Sequence, residues 1–334
     1  MGLASCLFVR SDVLGQAKPR SLMTGKTVQA IESGLRYLSD EQSHDGSFGP
    51  LGYGHNVAVV SLVGLACMAN GSTVTRGYFA STVRRCLNYI LENCQPSGFI
   101  QARAAGTERP MYGQGFATLF LAECYGTTDD PRIREELSHA VKLIVSVQND
   151  EGGWRYHPKR QDADLSVTIC QIMALRAARN AGVSVPDGTF QRCTKYVKSC
   201  QNPDGGFMYM LTEPGDSRFA RSAAAIVALY SAGVYDGPEV ERAIEYVIRN
   251  EQELYAAESG AYYFYGHYYA AQAMWHAGGK RWSKWYTTVR DHLIDAQTDH
   301  GNWVDSIDEV NAYATAMASL VLMMPRNYLT ILQR

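Results

Sequence analysis

A glycine-aromatic turn returns six times along this chain at nearly constant spacing. The copies read DGSF at 45–48, SGF at 97–99, EGGW at 151–154, DGGF at 204–207, SGAYY at 259–263 and HGNW at 300–303. Between Gly46, Gly98, Gly153, Gly206, Gly260 and Gly301 the steps are 52, 55, 53, 54 and 41 residues. A period of this size means one supersecondary unit repeated, and neighbouring units must stack to bury their apolar faces.

The fourth copy shows the unit whole. A helical stretch over 187–200 ends at Gln201, the turn NPDGGF follows, the polar connection MYMLTEPGDSR comes next, and an Ala-rich helix over 219–232 closes at Gly233. Comparable small-residue stretches lie at 57–71, 116–126, 167–182, 267–279 and 311–324. Helices apolar on most faces are buried, whereas 131–148 and 237–252, laced with Arg and Glu, present one apolar stripe and face water. Each repeat therefore supplies one inner and one outer helix. Two helices of about 15 residues with short connections fill the observed period. Six such hairpins close into an all-α ring, an (α/α)6 toroid, over 26–324, with an N-terminal extension at 1–25 and a tail at 325–334. An open array needs polar terminal caps. The last inner stretch, ATAMASLVLMM, is as apolar as the others, which favours closure.

Composition narrows the function. By length alone 334 residues suggest two domains, but unbroken repetition overrides that prior. A net charge of −2 gives no electrostatic case for nucleic acid, and no apolar run reaches the 18 residues of a membrane span. The apolar piece GLASCLFV near the N-terminus lacks a basic flank, so an export signal is not expected. Most of the eight cysteines fall in helices, where they serve as small hydrophobes; reduced thiols and a cytoplasmic setting follow. No CxxC or HExxH occurs and the histidines lack ligand spacing, so neither a metal nor another cofactor is expected. The segment GKRWSKW at 279–285 reads as an interhelical linker or a point of peripheral membrane contact.

Three turn copies carry a resemblance. Gln148 to Trp154, Gln201 to Phe207 and Gln297 to Trp303 are similar to the QW-type repeats of the prenyltransferase and squalene-cyclase superfamily. The likeness covers about 26–324. It implies a toroid whose turns tie the outer helices and whose inner helices enclose a central cavity; an activity does not follow from the fold. Class II terpene cyclases of this superfamily carry a D-x-D-D acid motif shortly after a GGW turn. Here Asp162-Ala163-Asp164-Leu165 follows Gly152-Gly153-Trp154, so the resemblance implies Asp164 as proton donor and Asp162 as the first motif aspartate, with Leu165 departing from the motif. Protein prenyltransferases need an Asp-x-Cys pair on zinc, where this chain has Asp216-Ser217-Arg218. There is no GCGEQ-like thioester sequence. The squalene cyclases use two helical domains, and this chain has one.

The residues themselves leave alternatives open. Protonating an alkene needs a carboxylic acid held neutral by its surroundings. An aspartate just before a helix also serves as an N-cap, a role Asp216 and Asp308 share by position. The approaches to the inner helices hold polar groups that a ring gathers at one mouth: Tyr53, His55 and Asn56, then Tyr112 and Gln114, Trp154 in the third turn, Arg218 and Arg221, His267 and Tyr268, and Asn311 and Tyr313. Arg218 and Arg221 lie one turn apart; they grip an anionic ligand, reach Asp164, or pair with Glu213 or Asp216. The aromatic run Tyr262–Tyr269, with Tyr265 at its centre, shields cations, stacks on sugars or packs. The leading expectation is a terpene-cyclase-like toroid that binds an isoprenoid. The alternatives are a carbohydrate-active toroid enzyme holding an oligosaccharide, or a non-catalytic binding or scaffold domain.

Overall fold

The computed structural model describes residues 22–49, 52–255, 262–305 and 311–333. Outer helices α1 (Gly25–Glu41), α3 (Ala80–Glu92), α5 (Arg132–Ser146), α7 (Asp187–Ser199), α9 (Pro238–Arg249) and α11 (Gly279–Asp295) alternate with inner helices. The inner set is α2 (Val57–Ala69), α4 (Met111–Cys124), α6 (Leu165–Asn180), α8 (Phe219–Ser231), α10 (Tyr263–Ala277) and α12 (Ala312–Met323). Among the described residues extended pairing is confined to isolated bridges across the turns, such as Gln42 with Phe48 and Gln201 with Phe207. The chain is an all-α toroid, as its repeats predict.

Burial divides the rings. Every residue of α2 except Ala58 is buried, whereas α9 buries only Val240, Ala243, Ile244, Tyr246 and Val247 along one stripe. Each inner helix touches the next, and α12 returns to α2. Small residues permit that approach: a Cβ on Gly115 of α4 would stand 2.6 Å from the Cys170 Cβ of α6.

The turns join the repeats by one recurring device. The side-chain amides of Gln42, Gln148, Gln201 and Gln297 donate to the carbonyls of Gly46, Gly152, Gly205 and Gly301. Each also donates to a carbonyl of the next outer helix, on Thr82, Thr189, Glu239 and, for Gln297, Ala30 of α1. The last turn therefore docks on the first helix and closes the ring. Cys94 holds the glutamine position in the second repeat, where the bridge is Cys94 with Ile100. The equivalent glycines in the doublets are Gly152 and Gly205, not Gly153 and Gly206: these have positive φ, 103° and 92°, and lie against the next outer helix. In the second turn Ile100 rather than Phe99 takes the buried aromatic position, as the bridge register shows.

Three further expectations change. Lys280 to Lys284 belongs to α11 rather than to a linker, and Trp282 and Trp285 are buried against the core. Tyr112 and Gln114 lie within the first turn of α4, which starts directly after Pro110. His267 lies one turn inside α10, because that helix already begins at Tyr263. At the end of the ring opposite the inner-helix N-termini, the chain after α12 crosses back. There Glu123 accepts from the Thr330 and Ile331 amides at 2.9 and 2.8 Å, and Trp275 Nε1 donates to Leu332 O at 3.1 Å. The seven described cysteines are free. No described helix is long and apolar enough to cross a membrane.

Candidate active site at the mouth of the ring

The N-terminal ends of the inner helices gather a tyrosine cluster around Asp164. Asp164 caps α6: its backbone is extended and its Oδ1 accepts from Val167 N–H at 2.9 Å. Its side chain is wholly buried, at 0% exposure. Oδ2 accepts from Arg155 Nη1 at 2.8 Å. Burial pushes the carboxyl above its ordinary range, against the Val167 N–H, Arg155 and the Tyr209 hydroxyl, all of which favour the anion. The cap and the buried carboxyl are thus one group.

Arg155 is the cation that reaches Asp164, a role the sequence had offered to Arg218 and Arg221. Its Nε also lies 3.3 Å from Asp162 Oδ2. Its guanidinium covers the Tyr156 ring at 4.2 Å and faces the Tyr209 ring at 5.5 Å. The hydroxyls of Tyr156 and Tyr209 are hydrogen-bonded at 2.6 Å, and Arg155 Nη1 donates to the Tyr209 oxygen at 3.2 Å. Tyr156 and Tyr209 follow the third and fourth turns at the same offset, WRY and FMY. That shared offset was the available signal for both.

The remaining repeats complete the mouth. Tyr112 of α4 lies 6.3 Å from the Tyr156 ring. Tyr265 of α10 stands edge-on to Tyr269 at 4.8 Å, and Tyr313 of α12 edge-on to Tyr53 at 6.2 Å. Burial raises the hydroxyls of Tyr112 and Tyr265 well above the ordinary tyrosine range, and Asp164 adds to both. Tyr313 is raised likewise by burial, with Tyr53 and Asp305 adding. Deeper on the axis Tyr268 meets Phe116 at 6.3 Å, and the Tyr269 hydroxyl lies 3.5 Å from Cys170 Sγ. Burial pushes the Cys170 thiol up to about 12, so it stays protonated. Arg221 of α8 faces the Tyr209 ring at 5.7 Å; burial and the neighbouring Arg218 lower its pKa.

Other residues singled out in the sequence have structural settings. Gln114 accepts from Ile100 N–H and donates to Gly98 O, holding the second turn. Thr168, Ser222 and Thr315 catch the corresponding turn amides of Trp154, Phe207 and Trp303 from the same helix position. Trp154 is buried and donates to Ile144 O, as Trp303 does to Leu293 O. Asn56 caps α2 by accepting from Ala58 N–H. The His55 carbonyl accepts from Tyr89, and the residue borders a surface hollow with Asp45 and Arg103. His267 turns outward from the axis, 4.4 Å from the Tyr263 ring and 5.9 Å from Trp285 of α11. Burial lowers its pKa to about 3, with His292 adding, and keeps it neutral.

Arg218, the N-cap residue of α8, is exposed; among the described residues neither it nor Arg221 forms an ion pair with Glu213 or Asp216. Asp216 does not cap α8, because Glu253 Oε2 takes the Phe219 N–H at 2.9 Å. Asn311 precedes α12 with φ 55° and makes no cap bond, and Asp308 lies outside the described residues.

A ring of helical hairpins defines the class. Residues 116–301 match the prenyltransferase alpha-alpha toroid domain family, and the chain belongs to it. Among solved structures, a substituted form of the type II terpene cyclase MstE from Scytonema, in complex with geranylgeranyl dihydroxybenzoate, is 13% identical with a TM-score of 0.59, covering 92% of this chain and 99% of that one. Cellobiose 2-epimerase from Bacillus thermoamylovorans is 12% identical with a TM-score of 0.63, covering 90% and 99%. The GH76 alpha-mannanase of Bacteroides thetaiotaomicron is 10% identical with a TM-score of 0.62, covering 93% and 98%. At these identities the likeness is one of fold. No curated protein sequence matches the chain.

Proposed function

We propose that the protein binds an isoprenoid between the tyrosines on the ring axis and starts its cyclisation by protonation from Asp164. The observation that carries this reading is the setting of Asp164, a fully buried carboxyl group at the mouth whose charged form is penalised by burial. An alkene accepts a proton only from a carboxylic acid, and burial favours that form of Asp164 over the carboxylate. The rings of Tyr112, Tyr265 and Tyr313 offer π faces to the carbocation that follows. Asp162 orients the acid through Arg155, which joins the two carboxylates.

A carbohydrate-active reading has one observation in its favour: Arg155 stabilises the anion of Asp164, the form a general base requires. Two of the structurally similar proteins act on sugars. Incubation with geranylgeranyl dihydroxybenzoate, cellobiose and manno-oligosaccharides, with product analysis, separates the readings. Cyclic isoprenoid products are expected. Turnover of a sugar with the isoprenoid untouched moves the assignment to the second class.

A further inference from the structure

One guanidinium serves two carboxylates at the mouth, and their surroundings differ. Arg155 Nη1 holds Asp164, which is wholly buried, while its Nε faces Asp162, whose side chain is 38% exposed. The guanidinium carbon lies 4.2 Å from the Tyr156 ring centroid, and the group touches both carboxylates at once, so a shift between them needs no new contact. Pairing with Asp162 also costs little desolvation, because that carboxylate already meets water.

We infer that Arg155 is a positioning residue that passes from Asp164 to Asp162 when a ligand occupies the mouth, leaving Asp164 to take up the proton it later delivers. This rests on the acid role proposed for Asp164. In the exchange Arg155 gives up its hydrogen bonds to Asp164 Oδ2 and the Tyr209 oxygen, and one proton from water binds Asp164. Transfer of that proton to an alkene carbon returns the carboxylate, and Arg155 closes on it again. The cyclised cation then loses one proton to water, so each turnover takes one proton from solvent through Asp164 and returns one.

The groups facing Asp164 make Arg155 the effective control. Cys170 of α6, Tyr112 of α4, Tyr265 of α10, Tyr196 of α7 and Tyr209 after the fourth turn are all neutral groups whose pKa values lie above the ordinary range, burial being the largest cause. Arg155 is the one cation within ion-pair distance of Asp164 among the described residues. Burial opposes its charge, but Asp164, Tyr209 and Tyr156 raise it well above the usual arginine value, so it stays charged in either position.

The test follows the protonated carboxyl band of Asp164 by difference infrared spectroscopy across pH on the ligand-free full chain, assigned by its loss in Asp164→Asn. Arg155→Gln is expected to raise the titration midpoint by roughly one to three units, the shift a nearby opposite charge produces. Asp162→Asn is expected to lower it, since Arg155 then has Asp164 alone, and Arg155→Lys to keep it near the wild-type position. Midpoints unmoved in both Arg155→Gln and Asp162→Asn overturn the inference; loss of thermal stability without such a shift marks Arg155 as merely structural and overturns it too. Turnover of geranylgeranyl dihydroxybenzoate is measured in parallel. Midpoints that move as expected, with no cyclic product from any form, support control of Asp164 by Arg155 while refuting the cyclase reading.

Discussion

Asparagine at position 164 keeps an acceptor for the Val167 N–H but carries no acidic proton, so two roles of Asp164 come apart by substitution. Asp164→Asn and Asp164→Ala are both expected to lower cyclisation by at least ~100-fold, the usual range for a lost general acid. Thermal denaturation should find the alanine variant less stable than the asparagine variant by about 1 kcal/mol, the worth of a cap. His267 supplies a second test. Its folded pKa of about 3 lies below the ordinary 6.5, so the unfolded chain binds more protons between these values. Its contribution to stability is therefore complete above 6.5 and lost as pH falls toward 3, with a slope approaching ~1.4 kcal/mol per pH unit. Chemical denaturation across that window should show a shallower fall for His267→Phe. The two acidic residues were readable from the motif after the third turn. Tyr156 and Tyr209 left only their shared offset after the turns as a signal, and their meeting with Arg155 depends on two successive repeats standing side by side. His267 looked like a mouth residue until α10 proved to start four positions earlier, which turns the ring toward α11.

At the scale of the element, the turn glycine and the helix that follows work as one joint. Gly98 and Gly126 share a φ of 84°, yet a Cβ on Gly98 would meet His139 O at 2.2 Å and one on Gly126 meets nothing within 4 Å. Substitution by alanine should therefore cost Gly126 only the left-handed penalty of about 1–2 kcal/mol, and Gly98 clearly more, as read from denaturation midpoints. Equal losses would mean that the turn does not bear on the next helix. The alternation of inner and outer helices was legible because burial on all faces and burial on one stripe leave different residue patterns. Turn register was less so. In a Gly-Gly doublet only the backbone decides which glycine takes positive φ, and the sequence spacing pointed to the second where the fold uses the first. In the third and fourth turns a hydroxyl of the following helix, Thr168 or Ser222, holds the turn in the same way.

Across the whole molecule the join between α1 and the last turn separates a ring from an open array. Gln297 donates to both Ala30 O and Gly301 O, so Gln297→Ala should cost about 1–3 kcal/mol, counted as two lost hydrogen bonds. Truncation after Ala296 removes α12 and with it a side of α2 and of α10; calorimetry should then find no cooperative unfolding, whereas an open array would lose only one repeat's share. Closure also gathers residues from all six repeats at one mouth, the setting proposed for Asp164 to act as an acid on an isoprenoid. The direct measurement is turnover of geranylgeranyl dihydroxybenzoate in deuterated water by the wild type and by Asp164→Asn. A cyclic product carrying one deuterium is expected from the wild type and none from the variant. Undiminished cyclic product from Asp164→Asn, or product without deuterium, would contradict it.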